Sequence, residues 1–444
     1  MRRALQHPAR LLPIVFLVAI AISTSLLLLP GARADPAGTT TLVTALFTAT
    51  SAICVTGLTV VDTSHWSDFG HIVIIGSVKL GGYGIITAAT LLALLVARRF
   101  GLRTRMLATT EGRSLDLANV KGVLIRVALI QTGCELIVAG ILTVRWWLAY
   151  DQNFQEALWN GIFHGISAFN NGGFSLFGDS MQSYVGDWWI NLPLALGIVA
   201  GSLGFPVLIE LLRRVDRPRN WSVHAKLTIY GSIALLVVAS VALLCFEWRN
   251  PATFGPLSVP DKLLAAIFNG TTPRSGGFSS VEFAAMTTES VTVTNMLMFI
   301  GGGSASTAGG IKVTTFFLLA FVIWAEIRGE PDVTVGRRRI AGPAHREAMS
   351  VALLGLALVA AGTLLIVMLT DGFRFEHVMF DVISAFATVG LSTGVTMNAP
   401  EPAQLVLAAL MYVGRIGPAV FATALALNTR RRLYRYPQER PIVG

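Results

Sequence analysis

The stretch Ser51-Ala-Ile-Cys-Val-Thr-Gly57-Leu58 lies between two long hydrophobic runs, and it recurs along the chain. Ser167-Ala-Phe-Asn-Asn-Gly-Gly173-Phe174 and Ser384-Ala-Phe-Ala-Thr-Val-Gly390-Leu391 keep its spacing. Thr271-Thr-Pro-Arg-Ser-Gly-Gly277-Phe278 is a degenerate fourth copy. The shared pattern is a small hydroxyl residue, five residues, a glycine, then Leu or Phe. Glycine accepts backbone dihedrals that expose a row of carbonyls and that other residues resist. Four such segments about one axis would form a ring of carbonyl oxygens able to replace an ion's water shell. The pattern therefore reads as a cation pore built from four repeats within one chain.

Composition agrees. Of 444 residues, 53% are hydrophobic and only 13% charged, which marks an integral membrane protein rather than a soluble one. The net charge of +9 falls in short bursts between hydrophobic spans, the pattern of cytoplasmic loops and not of a nucleic-acid patch. Cys54, Cys134 and Cys245 are scattered and give neither a disulfide framework nor a metal-binding spacing. The start Met1-Arg-Arg and the later Gly31-Ala-Arg-Ala-Asp resemble a signal peptide and its cleavage site. Leu11–Leu29 is nevertheless long for a signal core, and the repeat pattern needs it as a retained span.

Each repeat reads as long helix, short helix, glycine segment, long helix. The expected helices are Leu11–Leu29, Thr40–Ala52 and His71–Val96 in the first repeat. The second has Val123–Trp147, Phe154–Ile166 and Trp188–Leu212, and the third Leu227–Phe246, Asp261–Gly270 and Val293–Trp324. The fourth has Ala348–Leu369, Phe375–Ile383 and Leu405–Leu427. The long runs suffice to cross a hydrocarbon core of about 30 Å, whereas the short ones reach only partway and read as re-entrant pore helices. The expected fold is an all-α integral membrane protein with eight transmembrane helices, four pore helices and pseudo-fourfold symmetry around one pore. Its divisions are repeat 1 at 1–100, a linker at 101–121, repeat 2 at 122–214 and a linker at 215–226. Repeat 3 follows at 227–327, then a linker at 328–346, repeat 4 at 347–429 and a tail at 430–444.

Most of the 34 Lys and Arg residues fall at the N-terminus, in the three linkers and in the tail. By the positive-inside rule these are cytoplasmic, so both termini are inside and the glycine segments enter from outside. Trp66, Trp146, Trp147, Trp188 and Trp189 fall near outer span ends, where interfacial anchors are expected. Trp159 reads as a packing residue.

The candidate ion-binding residues are Cys54, Val55, Thr56 and Gly57 in the first segment and Asn170, Asn171, Gly172 and Gly173 in the second. The third supplies Arg274, Ser275, Gly276 and Gly277, and the fourth Ala387, Thr388, Val389 and Gly390. The ion would meet backbone carbonyls, with the negative ends of the short helices behind them. Arg274 is expected beside or behind the filter, because a cation lining it would repel the permeant ion. Lys79, Lys312 and Arg415 lie at membrane depth and read either as a barrier in the pore or as ion-paired and snorkelling groups.

Gly301-Gly302-Gly303-Ser304-Ala305-Ser306-Thr307-Ala308-Gly309-Gly310 interrupts the longest apolar run. Val293–Trp324 as one helix would be about 48 Å long, beyond what a bilayer needs, so a break is expected. It is not a phosphate loop, since Ile311 separates its last glycine from Lys312. Small residues lying across a cavity, held by Lys312 and Arg415, read as a gate. Gly81-Gly-Tyr-Gly84 reads as close helix packing. No catalytic set appears, since the seven histidines are dispersed and Glu135, Glu210 and Asp381 do not group.

These segments resemble the Trk/Ktr/HKT superfamily of potassium transporters. The resemblance rests on Thr50–Leu58, Ser167–Phe174, Arg274–Phe278, Ala387–Leu391, the glycine-rich break and Arg415, and it covers essentially the whole chain. The chain starts directly with the first repeat, without two extra N-terminal spans, and so is most similar to the Ktr membrane subunit. Gly172 stands where many members have Ala. The resemblance implies potassium as the transported ion, held by filter carbonyls, with sodium as a candidate activator and no nucleotide bound by this chain. It implies a homodimer in the lipid bilayer of the cell membrane, one pore per subunit, on a cytosolic ring of nucleotide-binding regulatory subunits. It also implies that glycine at all four filter positions goes with potassium preference. The alternative reading is a less selective sodium/potassium pore.

Overall fold

Polar residues mark where the helices begin. In the computed structural model, which describes residues 8–35, 39–99, 120–336, 338–340 and 342–417, side chains cap six of the helix starts. Thr41, Asn153 and Ser258 accept hydrogen bonds from backbone amides at the starts of the first three pore helices. Asp187, Ser222 and Thr287 do the same for longer helices. Each such cap is worth about 1 kcal/mol.

Repeat 1 comprises α1 (Pro8–Leu27), pore helix α2 (Leu42–Ile53) and α3 (Asp68–Arg99). Repeat 2 comprises α4 (Val120–Ala149), pore helix α5 (Phe154–Asn170), α6 (Trp188–Leu203) and α7 (Phe205–Arg214). Repeat 3 comprises α8 (Val223–Glu247), pore helix α9 (Val259–Thr271), α10 (Thr288–Phe299) and α11 (Val313–Ile327). Repeat 4 comprises α12 (Gly342–Leu369), pore helix α13 (Phe375–Phe386), the single turn α14 (Val395–Asn398) and α15 (Glu401–Ile416). A two-stranded hairpin, β1 (Thr334–Val335) with β2 (Arg338–Arg339), links repeats 3 and 4. The architecture is the expected one, four helix–pore-loop–helix units in pseudo-fourfold arrangement.

The core forms around the pore helices. One buried apolar cluster contains Phe47 of α2, Phe163 of α5, Ala265 of α9 and Phe380 of α13, so it joins all four repeats. Outward faces carry exposed Leu136, Val237, Val241, Leu353 and Leu364, as a surface meeting lipid should. Among the described residues, Leu124–Ala149, Val223–Glu247 and Ala344–Leu369 are each long and apolar enough to cross a membrane unbroken.

Two sequence expectations change. Trp188–Leu212 is not one span, because the chain bends by 103° between α6 and α7. Gly204 sits at the bend with φ 85°, and Pro206 starts the next helix. Proline fits the first helical turn, where its missing N–H would have no partner. Trp66 and Trp146 are not interfacial anchors, since both are buried in the core, while Trp147, Trp188 and Trp189 are exposed. Residues 101–119, the tail at 430–444 and the last part of the expected span Leu405–Leu427 lie outside the described residues.

Candidate filter and intramembrane loop

The four glycine segments follow the pore helices and meet one another. In every one the second residue is left-handed, Val55 at φ 55°, Asn171 at 61°, Ser275 at 68° and Thr388 at 48°. The fourth is left-handed as well, Gly57 at 92°, Gly173 at 68°, Gly277 at 70° and Gly390 at 96°. Non-glycine residues held in this region cost about 1–3 kcal/mol each, so four matched instances mark a backbone that the surroundings enforce. A Cβ added at Gly57 would lie 2.5 Å from the Gly172 carbonyl oxygen, and one at Gly173 would lie 2.7 Å from the Gly277 Cα. One at Gly277 would come within 2.9 Å of the Val389 carbonyl oxygen, and one at Gly390 within 2.1 Å of that of Thr56. Repeat meets repeat until the ring closes, at a spacing that only glycine permits.

The recurring hydroxyl residue now has a task. The Gly57 amide donates to Ser51 Oγ and the Gly390 amide to Ser384 Oγ, each at 3.1 Å. In the second segment Ser167 Oγ instead donates to the Phe174 carbonyl at 2.8 Å. Backbone bonds hold the turn too, from Thr56 to Ser51, Gly172 to Ser167 and Val389 to Ser384. The third segment departs by one residue, with Gly276 bonded to Thr272, while the Thr271 hydroxyl turns back to its own helix at Ile267. Pro273 has no N–H to continue the pattern of the other copies.

Sequence reading missed what braces the segments from outside. His164 on α5 bonds Ser175 at 3.1 Å, Asn269 on α9 bonds Ser280 at 2.7 Å, and Asp381 on α13 accepts from Ser392 at 2.7 Å. Each pair is eleven residues apart, and each pore-helix member is fully buried. Asp381 also accepts from the amides of Thr393 and Thr396 at 2.8 Å each. The available signal was a polar residue on an otherwise apolar short helix, eleven before a serine. Thr48 holds that place in repeat 1, and its hydroxyl has no partner among the described residues.

Glu135, read from sequence as ungrouped, has close partners. It is buried on α4, pairs with Lys79 Nζ at 2.7 Å and accepts from Asn170 Nδ2 at 2.8 Å. Gln131 completes the group by donating to Glu135 at 3.1 Å and to Asn170 Oδ1 at 2.8 Å. Lys79 is therefore an ion-paired residue behind the second segment. The Asn171 side-chain amide and the Ser202 hydroxyl are hydrogen bonded at 2.8 Å, and Ser202 reaches the Arg274 carbonyl at 3.2 Å. Arg274 points its buried guanidinium away from the ring, donating to Ser232 Oγ at 2.8 Å on α8. Gly81 and Gly82 do serve close packing, since a Cβ on either would lie 2.0 Å from the Ile53 carbonyl or 2.1 Å from Asn170 Oδ1.

The glycine-rich break joins α10 to α11 as a closed loop. Its neck is held by Gly301 N to the Ile311 carbonyl at 2.8 Å and Ile311 N to that of Phe299 at 3.3 Å. Gly303 N donates to the Ser202 carbonyl at 2.7 Å, and Phe205 N to the Ala305 carbonyl at 3.4 Å, so the loop sits on the α6–α7 bend. Lys312 Nζ donates to the Ala308 carbonyl at 2.6 Å. Arg415, buried on α15, donates from Nη1 to the Thr307 carbonyl and from Nη2 to that of Gly81 at 3.3 Å. The loop thus touches repeats 2 and 4 directly beside the ring, and Arg415 ties it to Gly81 of repeat 1.

Comparison with known proteins agrees with this architecture. A family model described as "TrkH: Cation transport protein" matches residues 14–429. The Ktr system potassium uptake protein B of Bacillus subtilis (strain 168) is 37% identical, covering 98% of this chain and 97% of that protein. Its namesake from Vibrio alginolyticus is 35% identical over 90% of this chain and 88% of its own length. The potassium/sodium uptake protein NtpJ of Enterococcus hirae is 30% identical, covering 98% and 97%. Among solved structures, the potassium transporter TrkH from Vibrio parahaemolyticus matches with a TM-score of 0.69 at 20% identity, over 94% of this chain and 85% of that one. That match speaks to the fold. These relatives are transport proteins and not enzymes, and by sequence and by architecture the chain belongs to the TrkH family of cation transport proteins.

Proposed function

We propose that this chain is the ion-conducting membrane subunit of a potassium-uptake system, with one pore through the centre of its four repeats. The observation that carries the reading is the closed glycine ring with matched left-handed residues in all four segments. Alternation of right- and left-handed residues turns successive carbonyls the same way, toward the axis, where they can take the place of an ion's hydration shell. The pore helices bring the negative ends of their dipoles to the same point. Potassium is held there through the carbonyls of residues 54–57, 170–173, 274–277 and 387–390. The loop 301–310 is the gate, held across the pore by Arg415 and Lys312.

Both termini and the linkers face the cytoplasm of the cell membrane. A homodimer rests there on a cytosolic ring of nucleotide-binding subunits, and sodium acts as an activator. Support for these finer points comes from the distribution of arginines and from the relatives named for the Ktr system. The relative named for potassium and sodium uptake favours a second reading, a less selective cation pore. Expression in a bacterium lacking potassium uptake tests the two. Growth at micromolar to low-millimolar potassium should be rescued and should improve with sodium. Failure to rescue at any sodium level, with the protein present in the membrane, would reject the potassium reading. Sodium influx equal to potassium influx would favour the second.

A further inference from the structure

One hydroxyl lies between the intramembrane loop and two filter segments. Ser275 Oγ accepts the Gly309 amide of the loop at 3.2 Å and donates to the Ala387 carbonyl at 3.3 Å. Ser275 is fully buried and left-handed, so its side chain has little choice of direction. Gly309 presses on the same place, since a Cβ there would lie 2.2 Å from Thr388 Oγ1 and 2.6 Å from the Ala387 carbonyl oxygen. The loop therefore docks on the filter itself, across the interface of repeats 3 and 4, as well as on Arg415 and Lys312. An amide buried at this depth that loses its acceptor pays a desolvation cost, because no water replaces it in a closed contact.

From this geometry we infer that Ser275 is a positioning residue that latches the gate to the filter. The inference rests on the reading of 301–310 as the gate. The loop leaves its closed position only by giving up the Gly309–Ser275 bond, and the hydroxyl then keeps only its bond to Ala387. Loss of the hydroxyl loosens the gate and also frees the Ala387 carbonyl, one of the ring's own, so the ion ratio is read beside the flux. Other repeats show what this position tolerates. Thr388 and Val55, both β-branched, hold the equivalent left-handed place. Ser275→Thr therefore keeps the hydroxyl in a conformation that the ring already accommodates.

The test is rubidium and sodium uptake into vesicles holding the purified full-length protein without any partner. Ser275→Ala should raise rubidium flux about threefold to tenfold, the size of one neutral hydrogen bond. Ser275→Thr, which keeps the hydroxyl, should return both flux and the rubidium-to-sodium ratio toward wild type. Gly309→Ala, which pushes the loop off the filter from the other side, should raise flux in the same way and give no further rise in combination with Ser275→Ala. A variant with the loop shortened within residues 302–308 separates the two readings. If the shortened loop raises flux and Ser275→Ala and Gly309→Ala do not, the latch is overturned and the gate stands. If the shortened loop leaves flux unchanged in a folded protein, the gate falls and the latch falls with it. A fall in the ion ratio that Ser275→Thr does not restore would overturn the latch by showing filter damage instead.

Discussion

Gly57 occupies a place where a side chain has nowhere to go. Its φ is 92°, and a Cβ would meet the Gly172 carbonyl oxygen at 2.5 Å and the Gly173 Cα at 2.9 Å. Gly57→Ser is expected to push the second segment off the axis and to add left-handed strain of about 1–3 kcal/mol. The outcome is a fall of about tenfold in the potassium-to-sodium flux ratio, read by paired isotope uptake. An unchanged ratio would remove Gly57 from the filter. At this scale the sequence was a good guide where chemistry recurs at a fixed spacing, as with Ser51 and Ser384. It misled at Thr271, because Pro273 moves the helix exit by one residue. The bracing role of His164, Asn269 and Asp381 escaped notice because three different side chains perform one task, and a motif read by residue type does not register it. Glu135 escaped for another reason. Its partners Lys79 and Asn170 are distant in sequence, and only the packing of α3, α4 and α5 brings them together.

Helices were legible from length, and their breaks were legible only when they were long. The run from Val293 to Trp324 exceeds any bilayer, so the loop between α10 and α11 could be expected. Trp188–Leu212 fits a bilayer well as one helix, so the bend at Gly204 gave no excess length to betray it. The signal was Gly204 followed by Pro206, a helix end and a helix start two residues apart. That bend matters because the loop rests on it, through Gly303 to Ser202 and Phe205 to Ala305. Removing the contact on the far side should free the loop. Arg415→Ala deletes a charge-assisted bond to the Thr307 carbonyl, worth about 1.5–3 kcal/mol. Partner-free potassium flux into vesicles should rise about tenfold, and by more when the loop is shortened within residues 302–308. Both variants should elute as folded, monodisperse protein. Wild-type flux in both would make the break a packing feature.

At the scale of the whole molecule, Arg213, Arg217, Arg219, Arg338 and Arg339 are exposed basic residues in and beside the segments that join repeats 2, 3 and 4. Deleting residues 430–444 is expected to abolish association with a cytosolic ring subunit and to weaken the dimer, as measured by light scattering on the purified protein. Intact assembly would assign the arginines to anionic lipid instead. The ring of glycines carries a separate consequence for how such a pore changes over time. A pore assembled from four identical chains receives every substitution four times, so any altered residue faces its own copies across the axis. Here Val55, Asn171, Ser275 and Thr388 stand at one backbone position with four different side chains, and each can be inherited or lost by itself. A single mutation therefore enters one quadrant alone and reaches a neighbour only where the two touch. The ring keeps its shape from the shared backbone, while the side chains around it are free to differ, one bonded to the glycine-rich loop, another beside a buried ion pair.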